Sequence, residues 1–484
     1  MRLTDLTAGL QVLETHGDAG IEVSGVCYDS REAGPGCLFI CVPGGESDGH
    51  DFAQAAVDAG ASALVVEREL GLGVTEVLVE DARRAMAPLA AAFYGFPTKE
   101  LQVAGVTGTN GKTTTVFLLS QILEYSGRQT GMIGTVSQVI GGEEREAGRT
   151  TPEAIDLQAA FRQMLEGGDV ACVMEVSSHA LSLARCDAIE FSLAVFTNLS
   201  QDHLDFHGGM EEYFAAKRLL FESGPQHSVV NIDDPYGQRL AADFDAITFS
   251  TSAGDADYSA RDIQFDLDGA RFTVDSPAGE LQVRNRLPGR FNVANSLAAL
   301  AGAVCLGVDP AVAVEGLGRA VPVPGRLEPV EEGQEFGVLV DYAHTPDSVA
   351  SVLDAARELT EGRVIAVFGA GGDRDRSKRP LMGRAGEDGS DLLVITSDNP
   401  RSEDPGMIIE EIVAGLGDPD SAVVEPDREA AIDAALGMAE PGDIVVIAGK
   451  GHEQGQEFEN GRKIPFDDRE VARQHLRELL GETG

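Results

Sequence analysis

The feature that most restricts the fold of this 484-residue chain is a strand, a glycine loop and a helix in immediate succession. Leu101-Gln-Val-Ala-Gly-Val106 is an apolar run of strand composition. Gly108-Thr-Asn-Gly-Lys-Thr113 follows it, and the residues from about Lys112 to Tyr125 read as a helix stopped by Ser126-Gly127. A chain that bends on glycines between a strand and a helix turns backbone N–H groups and a helix N-terminus toward one point, which suits a phosphate. Lys112 would reach the terminal phosphates of a nucleotide and Thr113 could ligate Mg²⁺, with Gly108, Thr109, Asn110, Gly111 and Thr114 completing an ATP-binding loop. The match to G-x-x-x-x-G-K-[ST] is imperfect, because the first glycine position falls on Val106 while glycines stand at 105 and 108. The bland alternative is a glycine turn with a surface lysine; the strand–loop–helix context favours the nucleotide.

The same alternation recurs along the chain. Apolar runs at Val170 to Met174 and Phe191 to Phe196 continue it, which implies α/β architecture with a largely parallel sheet and ligands at the carboxyl ends of its strands. Before it, a helix-like stretch from Phe52 to Ala59 and a strand-like Ala63-Leu-Val-Val66 form a smaller α/β unit that ends near Gly95-Phe-Pro97. After it, Val321-Pro-Val-Pro-Gly325 breaks the pattern. Buried strands are then expected at 338–340, 364–368, 392–395 and 444–447, as in a Rossmann-like domain. Domains of about 100–200 residues also suggest roughly three for this length. The expected boundaries are 1–98, 99–321 and 322–484. A second glycine stretch, Gly369-Ala-Gly-Gly372, fails the dinucleotide pattern because its third position falls on Arg374.

Composition narrows the partners. The net charge of −43 repels nucleic acid and anionic lipid. No 18-residue uncharged apolar stretch occurs, and the N-terminus lacks a signal-peptide core, so a cytoplasmic chain is expected. Six cysteines without a Cys-x-x-Cys pair point to reduced, mostly buried thiols rather than to zinc or disulfides. Only six lysines occur in the chain. An acidic, lysine-poor composition suggests a salty cytoplasm, and where lysine is scarce a retained one is more plausibly needed.

Glu175 ends one apolar run, and His203 follows another in Asn198-Leu-Ser-Gln-Asp-His-Leu-Asp205. Alone they read as a strand-end carboxylate and a turn histidine; with a nucleotide loop they make a plausible Mg²⁺ site. The chain resembles the Mur ligase family over nearly its whole length. The resemblance rests on Asp29-Ser-Arg31, the Gly108–Thr114 loop, Thr150-Thr-Pro152, Glu175-Val-Ser-Ser-His179, Thr197-Asn-Leu-Ser200 with Asp202-His203, Ala216-Lys217, Gly289-Arg-Phe-Asn292, Asp341-Tyr-Ala-His344, Gly372-Asp-Arg-Asp375, Asp398-Asn-Pro-Arg401 and Gly449-Lys-Gly-His-Glu453.

The resemblance implies three domains: an N-terminal α/β domain for a UDP-sugar, a central P-loop ATPase-like domain, and a C-terminal Rossmann-like domain for an amino acid. It implies that ATP phosphorylates the D-Glu γ-carboxylate of UDP-MurNAc-L-Ala-D-Glu, and that an amine attacks the acyl phosphate to give amide, ADP and phosphate, in a monomer serving peptidoglycan synthesis. Lys112, Lys217, His203 and Glu175 would be catalytic, with Thr113, Glu175, His203 and Lys217 at Mg²⁺. Lys217 matches the lysine that carries a carbamate in this family; without the resemblance it reads as an exposed helix lysine. Asn292, Arg326, Asp341 and His344 would join the loop around ATP. Ser30, Thr150, Thr151, Ser177 and Arg185 would hold the UDP-MurNAc-dipeptide, although Leu183 stands where the family has a polar residue. Arg374, Asp398, Asn399, Pro400, Arg401, Gly449 and Glu453 would bind the amino acid. The Asp-Asn-Pro-Arg form is the variant associated with meso-diaminopimelate, whose distal carboxylate an arginine can hold bidentately. L-lysine or another diamino acid, and a folylpolyglutamate synthetase-like reaction, are the rival readings.

Overall fold

The computed structural model describes residues 1–45, 47–252 and 254–481. By internal packing the chain divides into two compact units. The first comprises Met1–Thr107, Gly127–Val195 and Ala216–Ser228; the second comprises Gly108–Ser126, Phe196–Ala215 and the chain from Val229 onward.

The first unit opens with a five-stranded sheet in the order Val12–His16, Thr75–Val79, Ala63–Val66, Cys37–Ile40, Gly25–Cys27. Its first pair is antiparallel and the others are parallel. Ala63–Val66 is buried throughout, as a strand covered on both faces must be. The helix expected from Phe52 to Ala59 is Ala53–Asp58, led into by a 3₁₀ turn, Gly49–Phe52. Another run of strands follows in the order Phe191–Phe196, Gln102–Thr107, Ala171–Glu175, Thr130–Ile133, Ser137–Ile140, Glu143–Glu146. Ala171–Glu175 is parallel to both its neighbours, and its register sets Glu175 opposite Val106. The last two strands are an antiparallel extension that the apolar periodicity did not announce.

In the second unit the helix Lys112–Tyr125 occupies the span read from sequence. It packs on the helix Pro310–Arg319, where a Cβ at Gly316 would already lie 3.2 Å from Tyr125. Gln121 pins the interdomain segment, accepting from the Val321 N–H at 2.8 Å. Tyr258–Asp266, Gly269–Ser276 and Gly279–Asn285 form an antiparallel meander.

The C-terminal sheet has the order Glu328–Pro329, Gly337–Asp341, Ile444–Ala448, Val364–Phe368, Leu392–Ile395, Ala422–Val424, parallel except at its first pair. Separate apolar clusters cover its two faces, one around Leu353, Phe368 and Ile412, the other around Ile432, Val445 and Leu476. Asp309, Asp404, Asp427 and Asp467 cap helix N-termini with their carboxylates, a favourable use of acid at the positive end of the helix dipole. The carboxyl ends of the strands point the segments 342–344, 369–374, 396–401 and 449–453 the same way.

All six cysteines are free and five are buried. Among the described residues no helix is long and apolar enough to cross a membrane.

Candidate active site

In the second unit the phosphate loop is held by a segment given no role at the sequence level. Asn198 accepts from the Asn110 N–H at 2.9 Å and donates to the Asn110 carbonyl at 3.1 Å, and the Thr197 hydroxyl donates to the same carbonyl at 2.6 Å. The Thr109 hydroxyl lies 3.2 Å from that of Tyr213 and accepts from the Ser200 N–H at 3.0 Å. Gly108 has φ of 152°, and a Cβ there would lie 1.9 Å from the Thr197 hydroxyl. Lys112 folds back on its own loop, donating to the carbonyls of Gly108 at 3.0 Å and Thr109 at 2.7 Å.

Residues from beyond position 325 complete this arm. Arg326 donates to the Thr113 hydroxyl at 3.1 Å and lies over the Tyr342 ring at 4.6 Å. Asp341 fixes the following turn, accepting from Leu327 N–H at 2.7 Å and Ala343 N–H at 2.8 Å; burial raises its carboxyl. His344 shares a 2.7 Å hydrogen bond with the Tyr342 carbonyl, which can only accept, so Nδ1 carries the proton and Nε2 is an acceptor. Burial, then the charge of Lys378, hold this imidazole down at about 4. His452 is also held at about 4, by burial and then Arg326. Asn110 reaches Asp347 at 3.0 Å. Asn292 is fully buried, donating to the Pro288 carbonyl at 2.8 Å and accepting from Asn295 at 3.1 Å. Asn295, given no role from the sequence, is the amide that abuts Gly111: a Cβ there would lie 2.3 Å from its oxygen.

The amine arm belongs to the same unit. Arg401 has the left-handed φ of 51°, with Nη1 donating to the Gly372 carbonyl at 2.7 Å and Nε to Glu457 at 3.1 Å. The exposed Arg374 and the half-buried Arg401 flank Gly371, since a Cβ there would lie 3.8 Å from Arg374 Cγ and 3.0 Å from Arg401 Nη1. Pro400 is buried against Gly372. Lys450, quoted in the Gly449–Glu453 motif but given no role, is wholly buried and donates to Asn399 at 2.9 Å and Glu453 at 3.2 Å, with Asp398 at 3.8 Å. Asn399 donates to the same Glu453 oxygen at 2.8 Å. One Glu453 oxygen is thereby fixed from inside, and its carboxylate stays partly exposed. Gly449, with φ of 119°, leaves room for Asp398: a Cβ would lie 2.5 Å from its carboxylate.

In the first unit Glu175 is buried and accepts from the Thr135 N–H at 2.8 Å and hydroxyl at 3.2 Å. Thr150 and Thr135 hydroxyls are 2.9 Å apart. Thr151 donates to the Glu175 carbonyl at 2.9 Å and accepts from the Ser177 N–H at 3.1 Å. Arg185 donates to the Thr151 carbonyl at 3.1 Å and pairs with Glu153 at 2.8 Å. Four of the five residues expected at the sugar nucleotide thus form one patch. Ser30 lies in the bend after Gly25–Cys27, beside the Asp29–Arg31 ion pair, and Tyr28 of that segment donates to Asp156 at 3.0 Å. Lys217, on the helix Met210–Glu222, is 1% exposed, not the solvent-facing lysine its sequence surroundings suggest.

For Mg²⁺ the expected donors are the Thr113 hydroxyl and His203 of the second unit and Glu175 and a modified Lys217 of the first. A threonine hydroxyl and a carboxylate are hard oxygen donors of the kind Mg²⁺ takes. Among the described residues no three His, Cys, Asp or Glu side chains converge as a metal cage of their own.

Comparison with known proteins bears on the whole chain. Residues 22–94 match the model of the Mur ligase family catalytic domain, residues 106–303 that of the Mur ligase middle domain, and residues 325–451 that of the Mur ligase glutamate ligase domain. The UDP-N-acetylmuramoyl-L-alanyl-D-glutamate--2,6-diaminopimelate ligase of Syntrophomonas wolfei is 45% identical, with 99% of each chain covered. The protein of the same name from Streptomyces coelicolor is 47% identical over 96% of this chain and 94% of its own. A solved structure of a ligase with that name superposes with a TM-score of 0.72 at 32% identity, covering 99% of both chains.

Proposed function

The chain belongs to the Mur ligase family, and on that premise we propose that it uses ATP to join meso-diaminopimelate to the D-Glu γ-carboxylate of UDP-MurNAc-L-Ala-D-Glu, in peptidoglycan precursor synthesis. The observation that carries the choice of amine is the pairing of Arg374 with Arg401 around Gly371, next in the unit to the Asn399–Lys450–Glu453 network. Two guanidinium groups suit the two carboxylates of diaminopimelate. Lys450 and Arg428 against Asp398, Glu453 and Asp468 leave a net negative charge for one ammonium. L-lysine has no distal carboxylate, so it would leave an arginine unmatched.

The reaction is a carboxylate–amine ligation. A carboxylate is a poor electrophile; taking the γ-phosphoryl group of ATP gives its carbon a good leaving group. Lys112 exchanges its loop carbonyls for nucleotide phosphates, and Arg326, beside Thr113, adds positive charge where phosphoryl charge develops. The neutral His344 presents an acceptor, not a second cation, to this arm. Thr150, Thr151, Ser177 and Arg185 bind and orient the sugar-linked dipeptide. Thr113, Glu175, His203 and a carbamylated Lys217 are the residues that would hold Mg²⁺, which supplies charge neutralisation for the phosphates. We assign the sugar nucleotide to residues 1–98 with part of 99–321, ATP to 99–321, and the amino acid to 322–484.

The test is phosphate release with UDP-MurNAc-L-Ala-D-Glu across meso-diaminopimelate, L-lysine, other diamino acids and L-glutamate. Release above background with diaminopimelate, and a product heavier by one diaminopimelyl residue, is expected. Preference for L-lysine would overturn the amine. Release with a folate and L-glutamate instead would overturn the reaction.

A further inference from the structure

Lys378 opens the helix Lys378–Gly389, four residues after Arg374. It is 8% exposed. The carboxylates around it are committed elsewhere. Asp375 accepts from the Ser377 N–H at 2.8 Å and hydroxyl at 2.6 Å. Asp398 faces Lys450 at 3.8 Å. Asp202 accepts from the His203 N–H at 3.0 Å and lies 3.3 Å from its imidazole. All three act on the Lys378 ammonium across a gap, and among the described residues it has no hydrogen bond or ion pair.

A lysine only 8% exposed, with no direct partner for its ammonium, is held where an anion would be bound strongly. Its surroundings say which. Asp202 and His344, on the elements that hold the phosphate loop, act on Lys378 electrostatically, and so do Arg374 and Asp398 of the amine arm. The anion that passes between these arms is the phosphoryl group.

We propose that Lys378 is a further catalytic residue, its ammonium hydrogen-bonding the phosphoryl group as it moves from ATP to the substrate γ-carboxylate. This rests on the ligase reading above. A carboxylate oxygen bonds to the γ-phosphorus while the bond to the β,γ-bridging oxygen breaks, and ADP leaves with that electron pair. The amine nitrogen then bonds to the acyl carbon, phosphate leaves with the C–O pair, and the amine loses its proton to solvent. Lys378 keeps its proton throughout, so the balance asks nothing further of it.

The first step can be read without the amine, as movement of ¹⁸O out of the β,γ-bridge of ATP in the presence of UDP-MurNAc-L-Ala-D-Glu. Lys378→Met should lower this exchange and kcat together by about a hundredfold or more, with KM for diaminopimelate and Kd for ATP within about threefold. Lys378→Arg should recover part of the rate. Wild-type exchange with a raised KM for diaminopimelate would make Lys378 a carboxylate-binding residue and overturn the proposal. So would unchanged exchange and kcat, or a loss in both variants that tracks lowered Tm and lost ATP binding. If the wild-type enzyme itself makes no diaminopimelate product, the ligase reading fails rather than the role of Lys378.

Discussion

Replacing Arg401 with lysine tests the amine arm at one head group. The position has φ of 51°, a conformation that strains any residue with a Cβ. Arginine and lysine bear that strain alike, so the substitution changes the head group and leaves the backbone term nearly constant. The guanidinium donates through Nη1 to the Gly372 carbonyl at 2.7 Å and through Nε to Glu457 at 3.1 Å. Those bonds fix its plane and leave Nη2 and the second Nη1 proton for a carboxylate. A lysine ammonium has three donors around one atom and no plane, so it cannot serve the carbonyl, Glu457 and a bidentate ligand together. The loss is about one charge-assisted hydrogen bond to the ligand plus part of the positioning, about 2–3 kcal/mol. That is roughly a 30- to 150-fold drop in kcat/KM for diaminopimelate. Initial rates of phosphate release give that ratio, and calorimetric titration gives the Kd for ATP, which should stay within about twofold. A drop of less than about threefold for diaminopimelate, or an equal loss of ATP affinity, would refute the reasoning.

Other expectations follow from the same geometry. Gly108→Ala would place a methyl 1.9 Å from the Thr197 hydroxyl, so ATP binding should weaken at least a hundredfold by titration. Lys450→Met would leave Glu453 and Asp398 without their buried cation and should lower unfolding free energy in urea by about 3–5 kcal/mol; adding Glu453→Gln should restore part of it. His344 and His452 titrate near 4 when folded and about 6.5 when unfolded, so the unfolded chain binds more protons between those values. Their stability contribution is therefore full above about pH 6.5 and lost as pH falls toward 4; His344→Gln should reduce the loss between pH 7 and 5 by about 2 kcal/mol in urea melts. With a net charge of −43, Tm should rise as KCl goes from 0.1 to 2 M, because salt screens the self-repulsion.

What was legible in the sequence was local. The helix at Lys112 is bounded by signals within a turn of its ends, and the buried strands at 364–368 and 392–395 are runs that no amphipathic pattern competes with. The meander from Tyr258 to Asn285 was not read, because its outer faces alternate with charged and exposed residues and it has no apolar run to announce it. Site residues divide in the same way. Arg401 and Lys112 stand in motifs whose chemistry is visible in a few consecutive residues. Lys450 gains its meaning from Asn399, 51 positions away, and Asn295 from Gly111 across a helix packing. The burial of Lys217 was equally hidden, since nothing in its own turn says which face of that helix is covered.

Lys112 donates to two carbonyls of its own loop. The loop and its lysine are consequently one latched unit, tied through backbone acceptors that a phosphate can replace. Nucleotide entry is an exchange, in which the lysine trades neutral acceptors for anionic ones and the loop need not order itself from a mobile state. Product release can run the same exchange backward. The lysine re-latches as ADP departs, so its ammonium passes from one set of acceptors to another.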